Sequence, residues 1–179
     1  MKKYFIQYKP FLLFLGKFFS AYLMLTFIYQ FYLTSADDSI DGITQNVARL
    51  TEKTANLVGV KIATIKDCMQ YNISYKDKIS ARIIEGCNAI SVIILFISFV
   101  IAFSGKLKQT LFFILGGSLF IYVLNIFRII SLSVLMYYYP AQEHILHGVV
   151  FPLIIYRTVF ILWVIWVNKF SKYATKVTK

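Results

Sequence analysis

Three residues of this chain could do chemistry in places that lipid ordinarily excludes. Arg128 stands inside a long apolar stretch, three residues after Asn125, a spacing that puts both on one helix face. Ionisable groups within a bilayer are costly and turn toward the protein interior for a functional purpose. No Asp or Glu lies within any apolar stretch of the chain. The partner of Arg128 must then be a thiolate, a substrate oxygen, a backbone carbonyl or a lipid phosphate. Cys87 begins one apolar stretch and His147 directly precedes another. A cysteine at the amino end of a helix sits at the positive end of its dipole, and a nearby guanidinium further favours the nucleophilic thiolate. Thiolate attack on a peptide carbonyl gives an acyl-enzyme. A histidine such as His147 can protonate the leaving amine and then activate a second nucleophile, while Arg128, with Asn125, stabilises the oxyanion. That chemistry is peptide cleavage with transfer.

Such residues need elements to hold them, and the composition says of which kind. Hydrophobic residues make up 59% of the chain, mean hydropathy is +0.68 and only 15% is charged, where a soluble domain carries about 25%. A chain of that balance cannot cover a core with polar surface, so the expected fold is an all-α integral membrane protein. Four apolar stretches run from Phe11 to Leu33, Cys87 to Gly105, Leu111 to Tyr139 and Gly148 to Val167. Each supplies the roughly 20 residues that cross a hydrocarbon core of about 30 Å, which gives about four transmembrane helices. The first is too long and aromatic for the apolar region of a cleaved signal, so it reads as a retained helix. The chain divides accordingly into an amino end with the first helix (1–33), a segment outside the lipid (34–86), a three-helix membrane core with the reactive residues (87–167) and a basic tail (168–179).

The formal charge of +11 does not mark a nucleic-acid surface, because the basic residues are scattered over helix ends instead of gathered on one soluble face. They set orientation. Lys2, Lys3 and Lys9, then Lys106 and Lys108, then Lys169, Lys172, Lys176 and Lys179 flank the stretches on one side, read as the cytoplasm. The 34–86 segment balances seven basic residues with seven acidic ones, and 140–147 holds Glu143, His144 and His147 without Lys or Arg, so both face outward. The expected location is the inner (plasma) membrane, multi-pass, with both ends cytoplasmic. Counted from the cytoplasmic lysines at 1.5 Å per residue, Cys87 lies about 28 Å up, Arg128 about 30 Å and His147 about 33 Å. Eleven residues follow Arg128 before Pro140, so that helix projects outward or tilts and sets Arg128 deeper.

Within the outer segment, Ile40, Ile43, Val47, Leu50 and Leu57 recur at helical spacing and predict an amphipathic helix. From Tyr71 to Ile84, short β-prone runs flank the turn Tyr75-Lys76-Asp77-Lys78 and predict a small hairpin leading into Cys87. No phosphate-binding loop or low-complexity tract occurs, and no cofactor is expected. Plainer readings stand beside the chemical one. Cys68 and Cys87, both outside the cytoplasm, could form a structural disulfide. His144 and His147 lie three apart, but no further His or acidic cluster completes a metal site, so none is assigned. Asn125 also suits helix packing. Arg157, in the fourth stretch, is a second buried cation without an evident role.

At the reactive residues the sequence resembles a known family. Glu85-Gly86-Cys87-Asn88-Ala89-Ile90, Asn125-Ile126-Phe127-Arg128 and His147-Gly148 are similar, in order and spacing, to the cysteine, arginine and histidine motifs of the exosortase and archaeosortase family, especially its short form with few helices. The likeness covers roughly residues 82–156. It implies a membrane cysteine transpeptidase that cleaves carboxy-terminal sorting signals of exported proteins and passes the acyl group to an acceptor. Cys87 would be the nucleophile, Arg128 the electrostatic stabiliser and His147 the acid or base, with Asn125 and Asn88 supporting substrate or oxyanion. The partners would be an exported protein and membrane lipid. A non-catalytic assembly or chaperone-like subunit that holds an exported tail between helices is the alternative.

The lysine pattern makes a direct prediction. With Cys68 replaced by Ser, a cysteine introduced at Asp77 should react with an impermeant thiol reagent in intact cells, and one at Gln109 should not. Reversed labelling would invert the orientation.

Overall fold

The computed structural model describes residues 2–35, 40–68, 70–103 and 105–171, with the backbone alone for residues 2–7 and Glu85. The tail lysines Lys172, Lys176 and Lys179 lie outside the described residues. Most of the chain is helical. Among the described residues, three helical runs are long and apolar enough to cross a membrane: Tyr8–Thr34 within α1 (Lys2–Thr34), α4 (Leu107–Tyr138) and Pro140–Phe170. The last run contains α5 (Glu143–Ile145) and α6 (Phe151–Ile165), joined and extended by π-helical turns.

The stretch from Cys87 to Gly105, expected to be a fourth span, forms only a short helix, α3 (Ile90–Ala102). Its 13 residues rise about 20 Å, less than a hydrocarbon core of about 30 Å. The cause is local. Ala89 adopts a left-handed conformation at φ 65, and the Asn88 side-chain oxygen accepts the Ile90 N–H at 3.1 Å. The helix cannot begin earlier.

The segment between the first apolar stretch and Cys87 folds as a cap. Asp41 starts α2 (Gly42–Leu57), its Oδ1 accepting the N–H groups of Ile43 and Thr44 at 2.9 Å each, two of the donors that a helix start leaves unpaired. The buried face of α2 is Thr44, Val47, Ala48, Thr51 and Ala55. Leu50 and Leu57, expected inside, are exposed. Small residues win that face because α2 must lie close to the sheet and to α4. The expected hairpin is present as β2 (Gln70–Tyr75) and β3 (Lys78–Ile83), and an additional strand, β1 (Ile62–Asp67), completes an antiparallel sheet ordered β1-β2-β3. The fold is thus mostly helical with a small sheet added. From beneath, Ile62, Tyr71, Ile73 and Ile83 pack with Val47 of α2 and Ile130 of α4.

The hairpin turn places Lys76 and Asp77 at φ 51 and 61, left-handed positions that tight hairpins usually give to Asn and Gly. Its anchor offsets the strain. Lys76 Nζ donates to the Tyr138 hydroxyl at 2.8 Å and stands 5.5, 5.5 and 5.2 Å from the ring centres of Tyr75, Tyr137 and Tyr138. That hydrogen bond holds the exposed ammonium above the usual lysine range. The hairpin is thereby fastened to the end of α4.

The other half of α4 belongs to the membrane core. Phe96 and Val100 of α3, Ile121 of α4, Val159 of α6 and the buried Trp166 form one cluster. Phe99 stacks on Trp163 at 4.2 Å between ring centres. The Trp166 indole N–H donates to the Phe103 carbonyl at 3.0 Å, tying the end of the last helical run to the end of α3. On the outside, α1 meets α3 through Phe14, whose ring centre is 4.5 Å from that of Phe103. Gly117 lets α4 approach α3: a Cβ there would stand 2.3 Å from a ring carbon of the fully buried Phe96. Overpacking of this kind costs roughly 1–3 kcal/mol. Gly117→Ala should therefore lower the thermal midpoint of the chain in detergent, and Phe96→Leu in the same chain should restore part of it. A double variant no more stable than Gly117→Ala would place the loss elsewhere.

Candidate active site

Cys87 closes a short 3-10 turn, Glu85–Cys87, in which its N–H returns to the Ile84 carbonyl at 2.8 Å. Since α3 begins only at Ile90, the thiol stands ahead of that helix and not in its first turn, which corrects the expected contact with the helix dipole. What fixes Cys87 is α4. The Asn125 amide, 1% exposed, donates to the Cys87 carbonyl at 2.8 Å, and its oxygen accepts from Arg128 Nη1 at 3.4 Å. The helix face shared by Asn125 and Arg128 thus reaches the cysteine through its backbone. A separation of 3.4 Å is long for a charged donor. Arg128 Nε, moreover, is buried without a hydrogen-bond partner. A buried cationic donor in that state retains capacity for an acceptor.

Asn88 is committed to the fold. It is 2% exposed, and its amide nitrogen donates to the Tyr29 hydroxyl at 2.7 Å and to the Thr44 hydroxyl at 3.2 Å, so it joins α1, α2 and the start of α3.

A cleft of about 640 Å³ opens between the cap and the chain that follows α4. Cys87 and His147 both line it, with residues 78–82 on the cysteine side and Leu132, Met136 and Glu143 on the other. Arg128 does not line it. It precedes Leu132 by four residues and Met136 by eight, so it lies on the same row of α4, one turn nearer the amino end. His147 is exposed and sits in the π-helical turn Leu146–Val150, where the Phe151 N–H reaches back to the Leu146 carbonyl. Such turns insert a residue into a helix and are frequent at functional sites.

Glu143 is the cleft residue that sequence reasoning passed over. Its signal was present: it stands four residues before His147, the spacing of helix neighbours. His144, between them, is exposed and does not line the cleft. Arg157 projects from the surface of α6 and not into its packed interior, where a long side chain carries its charge toward an interface. Both cysteines are free thiols, Cys68 exposed and Cys87 half-buried, so the disulfide alternative is not adopted. Among the described residues, no three His, Cys, Asp or Glu side chains gather into a metal site.

Fold and cleft together define a multi-pass membrane protein in which a cap of one helix and three strands borders a cleft lined by a cysteine and a histidine. Residues 8–166 match the family model of the transmembrane exosortases, and the chain belongs to that family. Membership supports a role in protein sorting and processing. No curated protein and no solved structure matches the chain.

The link through Asn125 is open to test. Asn125→Leu removes both hydrogen bonds while keeping volume, and leaves buried polar partners unpaired at roughly 1–3 kcal/mol. The variant should unfold earlier in detergent, and alkylation of Cys87 by N-ethylmaleimide should accelerate toward the rate of exposed Cys68. An unchanged alkylation rate would mean that Asn125 does not hold the turn.

Proposed function

We propose that the chain is a membrane cysteine transpeptidase that cleaves the carboxy-terminal sorting signal of an exported protein at the outer edge of the bilayer and transfers the acyl group to an acceptor. The observation that carries this reading is one cleft lined by both Cys87 and His147, in a chain of the exosortase family.

In the reaction, the scissile carbonyl enters beside Cys87. The thiol gives its proton to His147 as the sulfur bonds to the carbonyl carbon and an electron pair moves onto the oxygen. Arg128, with an unpartnered buried Nε, supplies positive charge to the thiolate and to the oxyanion, while Asn125 keeps the Cys87 backbone in place. Collapse of the tetrahedral intermediate breaks the C–N bond, and His147 protonates the leaving amine. The thioester that remains is attacked by the acceptor, deprotonated by His147, and the Cys87 thiolate is released.

Membranes containing the chain and its substrate should yield a hydroxylamine-sensitive acyl adduct on Cys87, seen by mass spectrometry. Cys87→Ser should abolish processing with the protein still inserted, and Cys68→Ser should leave it intact. Arg128→Lys keeps the charge but loses the planar five-donor fork, and should slow processing on the order of 10²-fold, as loss of an oxyanion donor does. Parental rates in both Arg128→Lys and Arg128→Gln would make Arg128 a structural residue. A chain that binds exported tails without ever forming the adduct would be the non-catalytic subunit instead.

A further inference from the structure

Five consecutive residues, 78–82, line the cleft. Side chains of a strand alternate between faces, so a cavity lying over one face would meet every second residue. Contact with each residue in turn places the cleft along the edge of β3. The edge is open on that side: the sheet order is β1-β2-β3, and among the described residues β3 pairs only with β2. The face of β3 is occupied separately, by Ile83 packed into the cap core. Backbone N–H and C=O groups of an open edge are a template for another extended chain.

The geometry points to β3 as a docking strand for an extended polypeptide, which joins the sheet as a fourth strand and is thereby led to Cys87. This deepens the function proposed above and rests on it for the identity of the occupant as the substrate. Three further features fit it. β3 ends at Ile83, and the chain reaches Cys87 four residues later through the 3-10 turn, so strand and thiol border one cleft. Ile73 and Ser74 of β2 face Ala81 and Ile79, so Ser80 is the extra residue of a bulge. A bulge blunts an edge against a long foreign sheet, and here it leaves Ala81–Ile83 as a short regular run next to the cysteine. Lys78 and Arg82 line the cleft with Glu143, so two cations face one carboxylate, and a neutral or acidic segment fits where a basic one is repelled. Strand addition supplies binding through main-chain hydrogen bonds, with side-chain pockets adding selectivity.

The test uses the full chain in membranes, with Cys87→Ala to retain uncleaved substrate. A photo-crosslinking residue is placed at Lys78, at Arg82, or, as a control, at exposed Ile65 on the far strand. Adducts are mapped by mass spectrometry, and the polypeptide carried as a thioester on Cys87 of the parent chain is identified in parallel. Lys78 and Arg82 face Tyr75 and Asn72, three steps apart on β2, or about 10 Å. A docked strand should therefore give Lys78 and Arg82 adducts three or four residues apart on one polypeptide, and none from Ile65. A helical occupant would separate them by about seven residues and overturn the proposal. Adducts with lipid alone, with α4 alone, equally from Ile65, or none at all would overturn it too. A thioester on Cys87 without β3 adducts sinks strand docking and leaves the transpeptidase reading standing. Adducts at strand spacing without a thioester do the reverse.

Discussion

The 32 residues of α4 make a helix about 48 Å long, and a hydrocarbon core is about 30 Å thick. One continuous helix is therefore longer than the core it can cross. Along its first half it packs through Gly117 and Ile121 against α3 and α6, and along its second half it offers Ile126, Ile129 and Ile130 to the cap. Among the described residues these are the α4 side chains buried in the cap core; α2 buries only a narrow face of small residues, and a three-stranded sheet needs a packed face to be stable. The helix end is used as well, since Tyr137 and Tyr138 grip Lys76 and hold the hairpin.

Asn125 and Arg128 sit where α4 passes from its packing with α3 and α6 to its packing with the cap. Both ends of the buried Asn125 amide are bonded locally, its nitrogen to the Cys87 carbonyl and its oxygen to Arg128. Membership of the exosortase family gives these residues a context, and the hydrogen bonds give them a physical relation. Asn125 links Arg128 to the backbone of Cys87, and the Arg128 Nε is left buried without a hydrogen-bond partner. Cap and reactive turn therefore share one support, α4, which packs against the sheet and holds the Cys87 carbonyl.

Much of this was legible in the residues. Apolar runs give α1, α4 and the last helical run because membrane helices are written by length and hydropathy, which needs no tertiary information. The β2–β3 hairpin was legible from its turn. Strand β1 was not, because only Ile62 is buried in it and a single inward residue makes no alternation. The length of α3 was hidden for another reason: Cys87, Asn88 and Ala89 read as the start of an apolar run, and only the left-handed Ala89 with the Asn88 cap ends the helix there. Within the site, Cys87, Arg128 and His147 stood out by type and setting, whereas Glu143 and the β3 edge did not. An edge is a property of a sheet, and it exists only once the strands are assembled.

The brevity of α3 bears on how the protein enters its membrane. A 13-residue segment emerging from the ribosome is too short to lodge across a bilayer by itself, however apolar it is. Its entry is thus tied to that of α4, which follows it after a few residues and carries the glycine that receives Phe96. Entry of the two as a hairpin is the physical consequence, and the indole of Trp166, which follows them in the chain, closes over the Phe103 carbonyl at the hairpin's bend. The membrane half is thereby completed only once the last helical run has joined the hairpin, because its core cluster draws on α3, α4 and α6 together.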